Sequence, residues 1–304
     1  MALERSRGVA VSRGWLKGHM ARQLRHLRAY LSQVDLLLEV VDARAPYSTR
    51  ERDLLRWAGD KPRWLLLGKK DRVTPPDLER WRRFYEARGE KVLAFAAGPR
   101  TDVGEVQKAL EEGVRQRGSP LSVMVAGIPN VGKSSLINAL LGRRKAARGA
   151  RPGITRGAQW IQGEGIRLLD TPGIFFPRHR SPLHAHKLRV LECIGDELWP
   201  AEAAALWLVT YLAERYPRTL EVAFGLSREE GEPEDVLEEL GRKKGMLLSG
   251  GRVDRERAAA FLILAFREGK LGDVILEVPE DVAGAPEDRR GSMEPGVPPR
   301  GGPG

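Results

Sequence analysis

The chain has 304 residues, 41% hydrophobic and 30% charged, with a formal net charge of +10. That length suggests about two domains, and the basic excess points to a polyanionic partner. The longest apolar run, "AAAFLILAF" at 258–266, is far short of the ~18 residues of a membrane span, the N-terminus carries no apolar signal core, and the single cysteine, Cys193, excludes an internal disulfide and fits a reducing, cytoplasmic setting.

Residues 15–32, "WLKGHMARQLRHLRAYLS", place Met20, Leu24, Leu27 and Leu31 at helical spacing with arginines between them, which predicts a basic amphipathic helix. The first thirty residues carry Arg5, Arg7, Arg13, Lys17, Arg22, Arg25 and Arg28 against Glu4 alone. Apolar runs of strand length follow: "VDLLLEVVDAR" (34–44), "RWLLLGKKD" (63–71), "KVLAFAAG" (91–98) and "LSVMVAG" (121–127), with a helical pattern at 77–88 among them. Strands alternating with helices predict an α/β fold, a mostly parallel sheet with helices on both faces.

"GIPNVGKS" (127–134) is G-x-x-x-x-G-K-S, set between an apolar strand and the helix "KSSLINALLG". Glycines let backbone amides turn inward around phosphate oxygens, and the helix N-terminus adds partial positive charge. Pro129, Asn130, Val131, Gly132, Lys133, Ser134 and Ser135 are therefore the expected phosphate-binding stretch. Lys133 would supply a point charge to the β/γ-phosphates and Ser134 a hydroxyl to Mg²⁺. Residues 141–163 carry Arg143, Arg144, Lys145, Arg148, Arg151 and Arg156 and no acid at all, and "RPGIT" (151–155) places Thr155 where a second Mg²⁺ hydroxyl would sit. "AQWIQGEGIRLLD" (158–170) reads as a hairpin around Gly163–Gly165. "LLDTPG" (168–173) ends a strand with Asp170, placed to hold Mg²⁺ through water, and Gly173, whose amide would meet a γ-phosphate.

After residue 180 helical patterns dominate, at 184–198, 201–215, 233–244 and 254–269. They predict a second, mostly α domain. From 279 the Pro/Gly-rich composition cannot build a core and predicts a disordered tail. The expected organisation is a basic helical segment over 1–33, a nucleotide-binding domain over 34–178, a helical domain over 179–278 and a tail over 279–304. His179, His184 and His186 in "RHRSPLHAH" match no zinc spacing and read as loop and helix-start residues.

A phosphate loop of this kind needs an element that reads the base. Nothing after residue 173 offers Asn-Lys-x-Asp; "GKKD" (68–71) comes nearest, upstream of the phosphate loop and with Gly68 in the asparagine position. In an open parallel sheet the ligand sits at the carboxyl ends of the strands whatever the chain order. A circularly permuted chain can therefore assemble the same site.

In this order of motifs the chain resembles the circularly permuted GTPases, and within them the ribosome biogenesis GTPase A family of bacterial large-subunit assembly factors. The words that carry the resemblance are "GHMAR" (18–22), "VDAR" (41–44), "GIPNVGKSSLIN" (127–138), "RPGIT" (151–155), "LLDTPGI" (168–174) and "GMLLSGG" (245–251), spread over roughly residues 15–278. The resemblance implies a circularly permuted P-loop GTPase domain followed by a smaller all-α domain. It implies GTP/GDP and Mg²⁺ as ligands, and K⁺ coordinated through Asn130. The implied partners are the large-subunit precursor and its rRNA, with neither a membrane nor DNA. Within the base loop Lys69, Lys70 and Asp71, Asp71 would pair with the guanine N1 and N2 donors and Lys69 would pack over the base. Ala96, Ala97 and Gly98 would stand at the second base-contacting loop, offering an amide to guanine O6.

Two departures stand out. Gly68 removes the side chain that usually ties the base loop to the phosphate loop, so weakened but guanine-selective binding is expected, with Gly68→Asn tightening it. Ile174 follows Gly173 where many GTPases carry a water-orienting glutamine. The resemblance assigns that catalytic task to His19 of "GHM". An RNA-binding assembly chaperone with nucleotide as a structural ligand is the alternative that these departures permit.

Overall fold

The computed structural model describes residues 29–98, 100–142, 159–171, 173, 181–226 and 231–282. Six strands form one sheet in the order β3-β2-β1-β4-β6-β5. They are β1 (Leu36–Asp42), β2 (Arg63–Gly68), β3 (Lys91–Ala94), β4 (Leu121–Ala126), β5 (Gln159–Gln162) and β6 (Ile166–Asp170). All pair in parallel except the edge strand β5, which is antiparallel to β6. The hairpin expected around Gly163–Gly165 is this β5–β6 pair, and Gly165 takes the left-handed turn position with φ 67°.

Every residue of β1 is buried, because helices cover both faces of the sheet. On one face Leu37 packs with Leu54 of α1 (Arg52–Ala58), and Val41, Leu65 and Leu67 pack with Trp81 and Tyr85 of α2 (Pro75–Glu86). On the other, Leu36, Leu38, Val40 and Val125 join Val106 and Leu110 of α3 (Gly104–Arg117) and Leu136 and Ile137 of α4 (Lys133–Leu141). Helix α2 starts cleanly: Thr74 accepts from the Asp77 amide, and prolines fill its first turn.

The later helices are α5 (Pro182–Val190), α6 (Ala201–Arg215), α7 (Thr219–Phe224), α8 (Pro233–Lys243) and α9 (Arg255–Arg267). Their apolar faces merge with the sheet's own core in one continuous cluster. Two departures from the sequence reading appear here. The helix expected over 184–198 closes at Val190, and Glu192 turns into the left-handed region with φ 58°. Residues 279–282, expected in the tail, are packed instead: Pro279 and Val282 are buried, Val282 within the cluster of Trp81 and Tyr85.

One buried carboxylate fastens this C-terminal stretch to the sheet. Glu277 accepts from the Tyr47 amide at 2.6 Å, the Ser48 amide at 2.9 Å and the Ser48 hydroxyl at 2.6 Å. Lys187 of α5 reaches the same carboxylate at 3.1 Å. The Leu276 amide donates to the Arg44 carbonyl at 2.8 Å. Among the described residues no helix is long and apolar enough to cross a membrane.

Candidate functional site

The register of the sheet brings the motifs together. Asp42 lies opposite Gly68, Glu39 opposite Ala126, Val125 opposite Asp170 and Leu67 opposite Ala94. The parallel strands therefore release "GKKD", the phosphate loop, the Asp170 turn and the Phe95–Gly98 loop at one carboxyl edge. Chain order plays no part in that convergence, as the permuted reading requires.

The phosphate loop runs from β4 into α4. Gly127 has φ 152°, and a Cβ there would stand 2.4 Å from the Val40 carbonyl oxygen, so only glycine fits. Gly132, at φ 108°, opens α4 with no side chain capping the helix. Its first amides are thus left to an anion, and the helix dipole favours one. Asn130 takes φ 62°, a conformation uncommon outside glycine that clusters at functional sites. Lys133 is buried and donates to the Ile128 carbonyl at 2.8 Å. Burial pushes its ammonium down to about 8, against the opposing pull of Asp170. Ser134 is half-buried and Ser135 exposed on the first turn of α4.

Asp170, at the end of β6, is buried beside this lysine. Thr171 turns its hydroxyl back to the Val125 carbonyl at 2.8 Å. Gly173 lies against the phosphate loop itself: a Cβ there would meet Pro129 atoms at 2.8–2.9 Å. A buried carboxylate, a hydroxyl at the helix start and uncapped amides form a donor set that suits a triphosphate with a hard divalent cation.

In the base loop Lys69 adopts φ 60° and caps the 3₁₀ turn Lys70–Arg72. Its ammonium donates to the Asn130 carbonyl at 2.8 Å and pairs with Asp42 at 2.8 Å. Asp42, fully buried, also holds Arg44 at 2.8 Å. Burial alone would raise the Asp42 carboxyl, but Arg44 and Lys69 hold it well below the usual carboxylate range. Lys70 pairs with Asp102 at 2.5 Å rather than facing inward. Asp71 is partly exposed, 3.5 Å from the Arg72 guanidinium. In the second loop the Ala96 amide is bonded to the Asp102 carbonyl at 2.9 Å, and the Gly98 amide to Thr101 at 3.4 Å. Of the three amides expected to serve guanine O6, Ala97 is the one those bonds leave over.

The helical region touches both loops. Asn130 donates through Nδ2 to the Glu192 carbonyl at 2.6 Å, and Arg267 of α9 pairs with Glu192 at 2.6 Å. Arg72 donates to the Glu268 carbonyl. Sequence reasoning missed Asp42, Glu192 and Arg72 as parts of this site. The acid closing a mostly apolar, wholly buried strand was the one signal for Asp42, and the other two depend on contacts between distant segments. His186, by contrast, is a half-buried packing residue of α5. It accepts from Trp199 at 3.0 Å and stacks on Trp207, and among the described residues no cluster suits a metal. His19, Thr155 and His179 lie outside the described residues.

One expectation is reversed. A Cβ at Gly68 would stand 2.9 Å from the Phe95 ring and 3.0 Å from the Val131 carbonyl oxygen. Any side chain there requires the Phe95 ring or the Val131 carbonyl to shift, so Gly68→Asn is expected to loosen the site rather than tighten it.

Comparison with known proteins follows the same lines. A family model described as "50S ribosome-binding GTPase" matches residues 122–216. Ribosome biogenesis GTPase A of Priestia megaterium is 33% identical, with 88% of this chain and 97% of that protein covered. Mitochondrial ribosome-associated GTPase 1 of Xenopus tropicalis is 32% identical, over 86% of this chain and 94% of its own length. The crystal structure of GNP-bound YlqF from T. maritima matches with a TM-score of 0.59 and 28% identity, covering 86% of this chain and 99% of the other.

Proposed function

This chain belongs to the ribosome biogenesis GTPase A family, with a circularly permuted P-loop GTPase domain and a following helical region, and from that premise we propose that it is a GTP-driven switch on the assembling large ribosomal subunit. It binds the subunit with GTP, hydrolyses GTP there and leaves. The observation that carries this reading is the meeting, at one sheet edge, of the base loop, the phosphate loop and the buried Asp170, with the helical region resting on both loops through Glu192 and Glu268.

In the proposed reaction the α4 amides and Lys133 bind and orient the phosphates, and Asp71 selects guanine. The Ala97 amide meets O6, and Lys69, held by Asp42, lies along the base. Ser134, Asp170 and Thr155 would hold Mg²⁺, which neutralises charge on the β- and γ-phosphates when bound. Asn130 is the residue through which K⁺ would add to that charge. His19 orients the attacking water, since Gly173 is followed by Ile174. The basic segment over 1–33 and the stretch at 143–156 touch rRNA, with the helical region over 179–278 beside them. The N-terminal segment thereby couples docking to catalysis. The cell compartment is the cytoplasm.

Binding to rRNA through this many cations releases counterions. In co-sedimentation with large subunits and a non-hydrolysable GTP analogue, affinity should fall about a hundredfold or more between about 50 and about 200 mM salt. Association that is indifferent to salt would remove the electrostatic docking from the account.

A further inference from the structure

We propose that Phe95 sets the spacing between the base loop and the phosphate loop, and that Gly68 is bare because the ring needs its room. The inference rests on the nucleotide site proposed above and adds a positioning residue to it. Phe95 follows β3 and is almost wholly buried. Its amide donates to the Leu67 carbonyl at 3.0 Å, and its carbonyl accepts from the Lys70 amide at 3.1 Å. The backbone of Phe95 is therefore bonded on either side of Gly68.

The ring lies between the two loops. A Cβ at Gly68 would be 2.9 Å from Cζ and 3.1 Å from Cε1, and a Cβ at Gly132 would be 3.8 Å from Cζ. The Val131 carbonyl closes the remaining side at 3.0 Å. Gly68 is the last residue of β2, in register with Asp42, and its φ is outside the left-handed region. Its glycine is required by space, not by backbone conformation. Packing here does what a hydrogen-bonding side chain at position 68 would otherwise do. It fixes how far apart the loops stand, and so places Lys69 within 2.8 Å of the Asn130 carbonyl. A close-packed aromatic has no donor to satisfy and yields little to an added atom.

The test is steady-state GTP turnover of the parent, Gly68→Ala, Gly68→Asn and the double variant Gly68→Asn/Phe95→Ala. Gly68→Asn should raise KM about tenfold with the effect falling on KM rather than kcat, and Gly68→Ala should raise it about threefold. The double variant, where the asparagine can occupy the vacated ring space, should return to within about threefold of the parent. A Gly68→Asn KM at or below the parent's would overturn the proposal. So would a folded double variant no better than the single. If the Phe95 variant does not fold, Gly68→Ala decides alone, and an unchanged KM overturns it. The parent's preference for GTP over ATP in the same assay reports separately on the underlying site; its absence would remove that reading and this proposal with it.

Discussion

Replacing Lys133 by alanine is expected to cut GTP turnover about a hundred- to a thousandfold, and to weaken nucleotide binding as well. The lysine is buried at the foot of α4, and its ammonium is already directed at the phosphate loop through the Ile128 carbonyl. A point charge in a water-poor site stabilises developing phosphate charge far more than one in solvent. Alanine removes that charge and leaves the phosphates one cation short in a buried site where Asp170 is also negative. The same burial gives the site a pH signature. Without ligand, burial holds the Lys133 ammonium down to about 8. A triphosphate beside it raises that value, so binding takes up a proton above pH 8 and none below. Affinity should therefore be flat up to about pH 8 and fall by up to about tenfold per pH unit above it. Titrations of a GTP analogue between about pH 7 and about pH 9.5 would show this, and a flat profile would mean that burial does not lower the lysine's ammonium in the free protein.

Glu277→Ala should destabilise the fold by about 3–5 kcal/mol. Glu277 is wholly buried, and its two oxygens accept from the Tyr47 and Ser48 amides, the Ser48 hydroxyl and Lys187. Alanine strands the Lys187 ammonium and two backbone donors away from water, which costs more than the bonds themselves are worth. Urea melts should show a lower midpoint at unchanged slope. Adding Lys187→Met to Glu277→Ala should recover part of the loss, since it removes the uncompensated charge. A stability within about 0.5 kcal/mol of the parent's would show that this carboxylate does not fasten the C-terminal stretch to the sheet.

The central strands were legible because they are buried on both faces. β1, β2 and β4 are mostly apolar words, broken by Glu39, Arg63 and Ser122 and closed in β1 by Asp42, and the sheet reads them directly. β3 is shorter than its apolar run because Phe95 and Ala96 leave the sheet, and Ala96 pairs with Asp102 instead. The short α1 and α7 carry too few turns for periodicity to register. The expected helix over 184–198 breaks where Glu192 offers its carbonyl to Asn130, a contact between segments 62 residues apart. The same contrast holds at the site. The phosphate loop and Asp170 are contiguous words with a chemical reason for each letter. Phe95 against Gly68 and Asp42 under Lys69 are agreements between distant positions, so Gly68 read as a loss until the ring beside it was seen.

The most direct test of the switch is GTP turnover by the parent and by His19→Ala, each with and without purified large subunits. The account predicts that large subunits raise the parent's turnover about a hundredfold or more, that small subunits do not, and that His19→Ala binds GTP as the parent does yet gains almost none of this stimulation. Turnover of the parent that is the same with and without large subunits would contradict it.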